Sequence, residues 1–256
     1  MNVTTAELGS ARVLSWDRQA RRNAWTRALI EELANAIDAA AGDADVRCII
    51  VRGAGEHFSA GDDLFDTLAA DRAEWRRTVE AFQALTRAAF RAPVPVLAAI
   101  DGVCIGGALE FTASCDLRIC TERARFGTPE VRIGLGPTNA GTLLLPELLG
   151  ETAARELLLT GGLFDADWAR THGLVSEVVP PARLDARVTE LVEGFESISR
   201  EAVAATKRML CARLGALVDD ALRREEEACI RLFDGEDAKR ALRAFAERRA
   251  RARGGA

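Results

Sequence analysis

Twice in this 256-residue chain a strand-like run leads through glycine into a helix-like run. In the first, residues 46–51 are rich in β-branched side chains and precede the loop Gly53-Ala54-Gly55-Glu56-His57-Phe58-Ser59-Ala60-Gly61-Asp62-Asp63. In the second, residues 96–100 read as a strand, Asp101-Gly102 turns the chain, and Gly106-Gly107 enters a helix over 108–114. The first N–H groups of a helix have no partner within it and carry partial positive charge. Glycine lets such backbone come close to a ligand. Two N–H groups aimed at one point form an oxyanion hole, worth about 3–4 kcal/mol per donor. Tight turns use glycine as well, so for either junction alone that plainer reading is the favoured one, and only together with the carboxylates below does it become the minority view.

The rest of the chain surrounds these junctions with alternating elements. Residues 12–16 read as a short strand, and 26–41 as a helix with Leu29, Leu33, Ala36, Ile37 and Ala40 on one face. Residues 73–92 form a second amphipathic helix, closed by Pro93 and Pro95. Residues 117–120 and 175–179 read as further strands, and 151–160, 183–195, 200–214, 216–233 and 236–249 as helices. The pattern predicts an α/β core over residues 1–195 and a helical region over 196–256.

Composition narrows the function. Hydrophobic residues make up 48% and charged residues 29%, enough to build a core. The net charge of −5 disfavours nucleic-acid partners, which call for a basic excess. No apolar run is long enough to span a bilayer, and the first residues lack a secretory pattern, so a cytoplasmic protein is expected. The six cysteines form no C-x-x-C pair and the two histidines stand apart, so neither a metal site nor a disulfide framework is expected. No G-x-G-x-x-G follows the first strand, which disfavours a dinucleotide site.

Two carboxylates stand out. Glu110 sits in Gly107-Ala108-Leu109-Glu110-Phe111, an otherwise small and apolar helix start. It either complements the helix dipole near the surface or is desolvated with a raised pKa suited to acid–base work. Glu130 follows Pro129, whose fixed φ stiffens the approach; a solvated loop glutamate is the plainer alternative.

Four segments carry a family resemblance: Arg21-Arg22-Asn23-Ala24-Trp25; residues 45–64 with the loop Phe58-Ser59-Ala60-Gly61-Asp62-Asp63; residues 99–110; and Phe126-Gly127-Thr128-Pro129-Glu130-Val131-Arg132-Ile133-Gly134-Leu135. In this order, from residue 12 to 249, the chain resembles the crotonase (enoyl-CoA hydratase/isomerase) superfamily. The resemblance implies a superhelix of repeated ββα units with a C-terminal helical trimerisation region that closes the acyl-CoA pocket. Homotrimers or dimers of trimers are implied with it. It implies acyl-CoA substrates of fatty-acid type, with the thioester oxygen held by the N–H groups of Asp62 and Gly107. Coenzyme A would arrive as part of the substrate, with no separate cofactor. Carbonyls of Ala24, Ala60 and Leu64 would accept from the adenine amine, and Arg21 or Arg22 would meet the phosphates.

Glu110 and Glu130 fall on the two glutamate positions of enoyl-CoA hydratases. Water activated mainly by Glu110 would add to C3 of a 2-enoyl thioester, and Glu130 would supply the proton to C2. An isomerase using Glu130 alone, or a non-catalytic acyl-CoA-binding protein, are the competing readings. The chain also departs from the family. Asp62 stands where small residues are common, and Thr138-Asn139-Ala140-Gly141-Thr142 replaces a glycine-rich stretch, placing polar groups near the expected acyl pocket. Phe65 occupies a phosphate-binding lysine position, and the arginine-rich end 248–253 is expected to be disordered.

Overall fold

The computed structural model describes residues 2–254, with side chains to residue 248. It begins with β1 (Val3–Leu8) and β2 (Ala11–Trp16), an antiparallel hairpin turned at Gly9. Helix α1 (Arg27–Gly42) leads to β3 (Cys48–Gly53), then α2 (Leu64–Ala69) and α3 (Arg72–Arg91). Next come β4 (Val96–Ile100), β5 (Val103–Ile105), α4 (Gly107–Ala113), β6 (Leu117–Thr121) and β7 (Arg125–Gly127). Helices α5 (Gly141–Leu149) and α6 (Glu151–Thr160) precede β8 (Phe164–Asp165), α7 (Ala166–Thr171) and β9 (Glu177–Val179). Four helices finish the chain: α8 (Leu184–Glu196), α9 (Arg200–Ala212), α10 (Gly215–Phe233) and α11 (Glu236–Gly254).

Two sheets organise these elements. The larger runs β1-β2-β3-β4-β6-β9, parallel throughout except for the first hairpin, and the smaller runs β5-β7-β8. Twice, consecutive strands turn a corner from the large sheet to the small one: β4 into β5, and β6 into β7. This stepping winds the core into a crotonase-like superhelix. Strands buried on both faces must be apolar throughout, and Val96 to Ile100 are buried without exception.

Local chemistry sets the helix bounds. Asp71 and Glu74 form a reciprocal capping box at the start of α3, with Glu74 N donating to Asp71 Oδ1 at 2.8 Å and Asp71 N to Glu74 Oε2 at 3.1 Å. Leu29, Ile30, Leu33 and Ile37 of α1 pack with Phe82, Leu85 and Ala89 of α3 in the main core. Val218 and Leu222 of α10 belong to the same core. Helix α9 is tethered by Lys207, whose Nζ donates to Ala89 O, Val94 O and Asp116 Oδ2 at 3.0, 3.1 and 2.6 Å.

Several short elements escape the sequence reading: β1, β5, β7, β8, α2, α5 and α7. Most span seven residues or fewer, too few for a hydrophobic period to register. The end expected to be disordered instead continues α11 as helix to Gly254, while its side chains from residue 249 lie outside the described residues. All six cysteines are unpaired thiols. No helix among the described residues is long and apolar enough to cross a membrane.

Candidate active site

The two glycine junctions of the sequence meet in space. The loop after β3 zips onto β5: Phe58 N donates to Asp101 O at 2.7 Å, Ser59 N to Val103 O at 2.9 Å, and Ile105 N to Ser59 O at 3.1 Å. Gly61 follows with φ +78° and Gly106 with φ +62°, a region in which a Cβ is strained. A Cβ on Gly61 would lie 2.8 Å from Ile105 O and 3.4 Å from Gly106 Cα. Neighbouring donors are consumed: Gly106 N by Gly127 O at 2.8 Å, and Asp63 N by Trp25 O at 2.9 Å. Asp62 N and Gly107 N, one on each loop, donate to nothing among the described residues. Two free donors beside touching backbones are what an oxyanion requires.

Glu110 lies in the first turn of α4 and is completely buried. Its Oε2 accepts from Thr138 N at 2.9 Å and Asn139 N at 3.0 Å, whereas Oε1 has no partner. Burial, reinforced by the charges of Glu130 and Glu225, pushes its pKa well up, and the two N–H bonds pull it back. The surface reading of Glu110 is therefore excluded. Asn139 does not present its polar group to an acyl pocket: it is fully buried, and its Nδ2 donates to Gly107 O at 2.8 Å. This bond steadies the very peptide that follows the Gly107 donor.

Glu130 sits in a short 3-10 turn, Pro129–Ile133, stopped by Gly134 in the left-handed region. A Cβ on Gly106 would lie 3.0 Å from Glu130 Oε1, so the carboxyl reaches the second loop. Its Oε2 is buried without a partner, and burial with the nearby Asp62 charge raises its pKa to about 8. It is not a solvated loop glutamate. Asp62 presents a third carboxyl: Oδ1 is buried and unpartnered, and burial with the charge of Asp63 lifts the pKa to about 7.

Part of this constellation borders a cavity of about 280 Å³, whereas Glu110, Gly107 and Asn139 lie behind its lining, next to the lining residues Thr138 and Gly106. Asp62, Gly106, Glu130 and Thr138 line it together with the apolar Trp75, Ile133 and Leu135. Arg21, Arg22, Ala24, Ala60 and Leu64, the expected coenzyme-contacting residues, line it too, so every one of them is brought to the same space. Arg21 stacks its guanidinium 5.0 Å above the Phe65 ring, which in turn meets Phe245 of α11 at 5.6 Å between centroids. The Ala24 carbonyl already accepts from Arg18 Nη1, leaving one lone pair for a ligand. Arg18 also binds Asp63 Oδ2 at 3.0 Å and so braces the first loop. Among the described residues, no three His, Cys, Asp or Glu side chains gather as a metal site.

The sequence reading misses one carboxylate, Glu225 of α10. It is buried, and its oxygens accept from Ala140 N, Thr142 N and Thr142 Oγ1 at 2.7, 2.8 and 2.6 Å. A signal exists: Val218, Leu222, Glu225 and Cys229 recur at helical spacing, which places a glutamate in the apolar stripe.

Comparisons with known proteins agree with this geometry. The family model described as Enoyl-CoA hydratase/isomerase matches residues 10–253. The chain is 34% identical over 253 residues to a short-chain-enoyl-CoA hydratase of Clostridium acetobutylicum, covering 97% of this chain and 95% of that protein. It is 33% identical over 242 residues to a crotonyl-CoA hydratase of Syntrophomonas wolfei, covering 93% and 92% respectively. The crystal structure of an enoyl-CoA hydratase from Bacillus halodurans superposes with a TM-score of 0.90 at 27% identity, covering 95% of this chain and all of that one.

Proposed function

The chain belongs to the enoyl-CoA hydratase/isomerase family, and from that premise we propose that it is an enoyl-CoA hydratase. It adds water across the C2=C3 bond of a 2-enoyl-CoA thioester, with the intermediate enolate held in an oxyanion hole. The observation that carries this reading is the pairing of the buried Glu110 with the half-buried Glu130, each with one buried oxygen that has no partner, beside two unpartnered backbone donors.

The division of labour follows from the partners of each carboxyl. Two backbone N–H groups anchor Glu110 Oε2 and oppose the upward push of burial, leaving the unpartnered Oε1 to take a proton from water, so Glu110 is the base. Glu130, raised to about 8, keeps its proton near neutral pH and is the acid. The thioester oxygen accepts from Asp62 N and Gly107 N, which draws electrons from C3. Glu110 takes one proton of a water as its oxygen bonds to C3, and the C2=C3 electrons pass into the enolate. Glu130 then delivers its proton to C2, the thioester carbonyl reforms, and the proton on Glu110 returns to Glu130 through solvent. Only carboxyl groups, N–H donors and water take part, and coenzyme A comes with the substrate. Arg21 and Arg22 pair with its phosphates, and the carbonyls of Ala24, Ala60 and Leu64 with its adenine.

Assembly and setting belong to the same proposal. Met209 and Leu210 of α9 and Leu217 of α10 are 70, 71 and 53% exposed, too much apolar surface on neighbouring helices to leave wet. This supports a homotrimer or a dimer of trimers formed through the C-terminal helices. Such an enzyme serves fatty-acid metabolism in the cytoplasm. The test of activity is loss of the ultraviolet absorbance of the conjugated thioester with crotonyl-CoA and with longer and branched 2-enoyl-CoAs. Binding without turnover on every one of them contradicts the proposal. Glu110→Gln separates it from isomerisation, which would survive that change.

A further inference from the structure

One turn of the chain divides its N–H groups between two carboxylates. Thr138 N and Asn139 N point to Glu110 Oε2, at 2.9 and 3.0 Å. Ala140 N and Thr142 N, with the Thr142 hydroxyl, point the other way to Glu225, at 2.7 to 2.8 Å for the amides and 2.6 Å for the hydroxyl. The switch of direction occurs at Ala140, a non-glycine residue held at φ 60° and ψ 25°. That conformation is unfavourable for an L residue and persists only where the surroundings impose it. Helix α5 has no capping side chain of its own, so Glu225 caps it from outside.

Glu225 is itself fixed. It sits in the buried stripe of α10, whose Leu222 carbonyl accepts from Gln83 Nε2 of α3 at 2.8 Å. Cys229, one turn on, donates to Gly136 O at 3.6 Å, just ahead of the same turn. Thus α10 grips the 136–142 segment at both ends. A Cβ on Gly141 would lie 2.9 Å from Glu110 Oε2, so the turn has almost no room to shift without displacing the base.

We infer that Glu225 is a positioning residue for hydration: it locks the turn at 140–142 and thereby sets the two N–H groups that orient Glu110. The inference rests on the proposed role of Glu110 as base. Its consequence is that α10 shapes the catalytic centre without lining the substrate cavity.

Glu225→Gln is the direct test, because the amide nitrogen cannot accept and one of the N–H arms loses its bond. Misplacing the base should lower kcat on crotonyl-CoA by about 10²-fold with KM little changed. The reading that a merely structural glutamate would not move is hydrogen exchange at Thr138 and Asn139, whose amides bond to Glu110 and not to Glu225. Faster exchange there supports the inference. Faster exchange confined to Ala140 and Thr142, with kcat unchanged, overturns it. Should Glu225→Gln fail to fold, Thr142→Val removes only the hydroxyl arm. It should give a smaller fall in kcat with the same faster exchange at Thr138 and Asn139, and no change in either overturns the inference. The exchange pattern does not depend on turnover, so absent hydration by the unaltered protein would defeat the proposed function while leaving this coupling decided.

Discussion

Gly61 and Gly106 pack backbone against backbone, with a Cβ on Gly61 only 3.4 Å from Gly106 Cα and 2.8 Å from Ile105 O. Side chains at either position would part the loops that bear Asp62 N and Gly107 N. Gly61→Ala also forces alanine into φ +78°. Loss of one oxyanion donor typically costs about 10²–10³-fold in kcat, and steady-state hydration kinetics of Gly61→Ala should show a loss of that size. Unaltered kcat would separate the loop contact from catalysis.

The paired glutamates make a second prediction. Glu110→Gln and Glu130→Gln should each lower kcat by about 10²–10⁴-fold, while acyl-CoA binding measured by calorimetry is retained. Each removes a reacting oxygen but not the cavity walls or the N–H donors. A variant that loses binding and rate in proportion would point to a role in holding the substrate instead.

Asp62 and Glu130 predict a pH dependence of stability. Their carboxyls, ordinarily at 3.8 and 4.5, are raised to about 7 and about 8 in the folded chain. The folded state therefore holds protons that the unfolded chain has released. Stability from these groups is fully present below the unfolded values and is lost as pH rises through the folded ones. Asp62→Asn removes one of the two ionisations, so its unfolding midpoint should exceed that of the unaltered protein at about pH 8 and approach it at about pH 4. A constant difference at all pH values would mean that Asp62 does not titrate as a buried group.

How much of this site is legible without coordinates depends on how local each signal is. Asp62, Gly107, Glu110 and Glu130 lie within short motifs, and the roles proposed for them each call for a particular backbone shape around them. The central strands and long helices are legible for a similar reason, since Val96 to Ile100 or Leu29 to Ile37 repeat one pattern over several residues. Asn139 shows the limit: its type suggests a polar pocket, but its direction is set by Gly107 O, 32 residues away in sequence. Glu225 is farther still from its partners, 85 residues beyond Ala140, and only its place in an apolar stripe hints at burial. Strands β5 and β7 have three residues each, and their pairing comes from the corner geometry of the two sheets.

Lys207 gives a prediction about the fold apart from the chemistry. Its buried ammonium joins α9 to the end of α3 and to Asp116, and Lys207→Met would strand the Asp116 charge. Breaking one partner of such a pair costs about 3 kcal/mol. Urea unfolding should register that loss, with hydration by the remaining folded protein little changed. A fall in kcat at unchanged stability would contradict the assignment of Lys207 to anchoring.

The central claim is that water, activated between Glu110 and Glu130, bonds to C3 of an enoyl thioester. Its most direct measurement is mass spectrometry of the product formed from crotonyl-CoA in ¹⁸O-labelled water. The unaltered protein should form a 3-hydroxyacyl-CoA carrying one solvent oxygen, and Glu110→Gln should abolish that product. A shifted double bond with no solvent oxygen, or labelled product undiminished by Glu110→Gln, would contradict the claim.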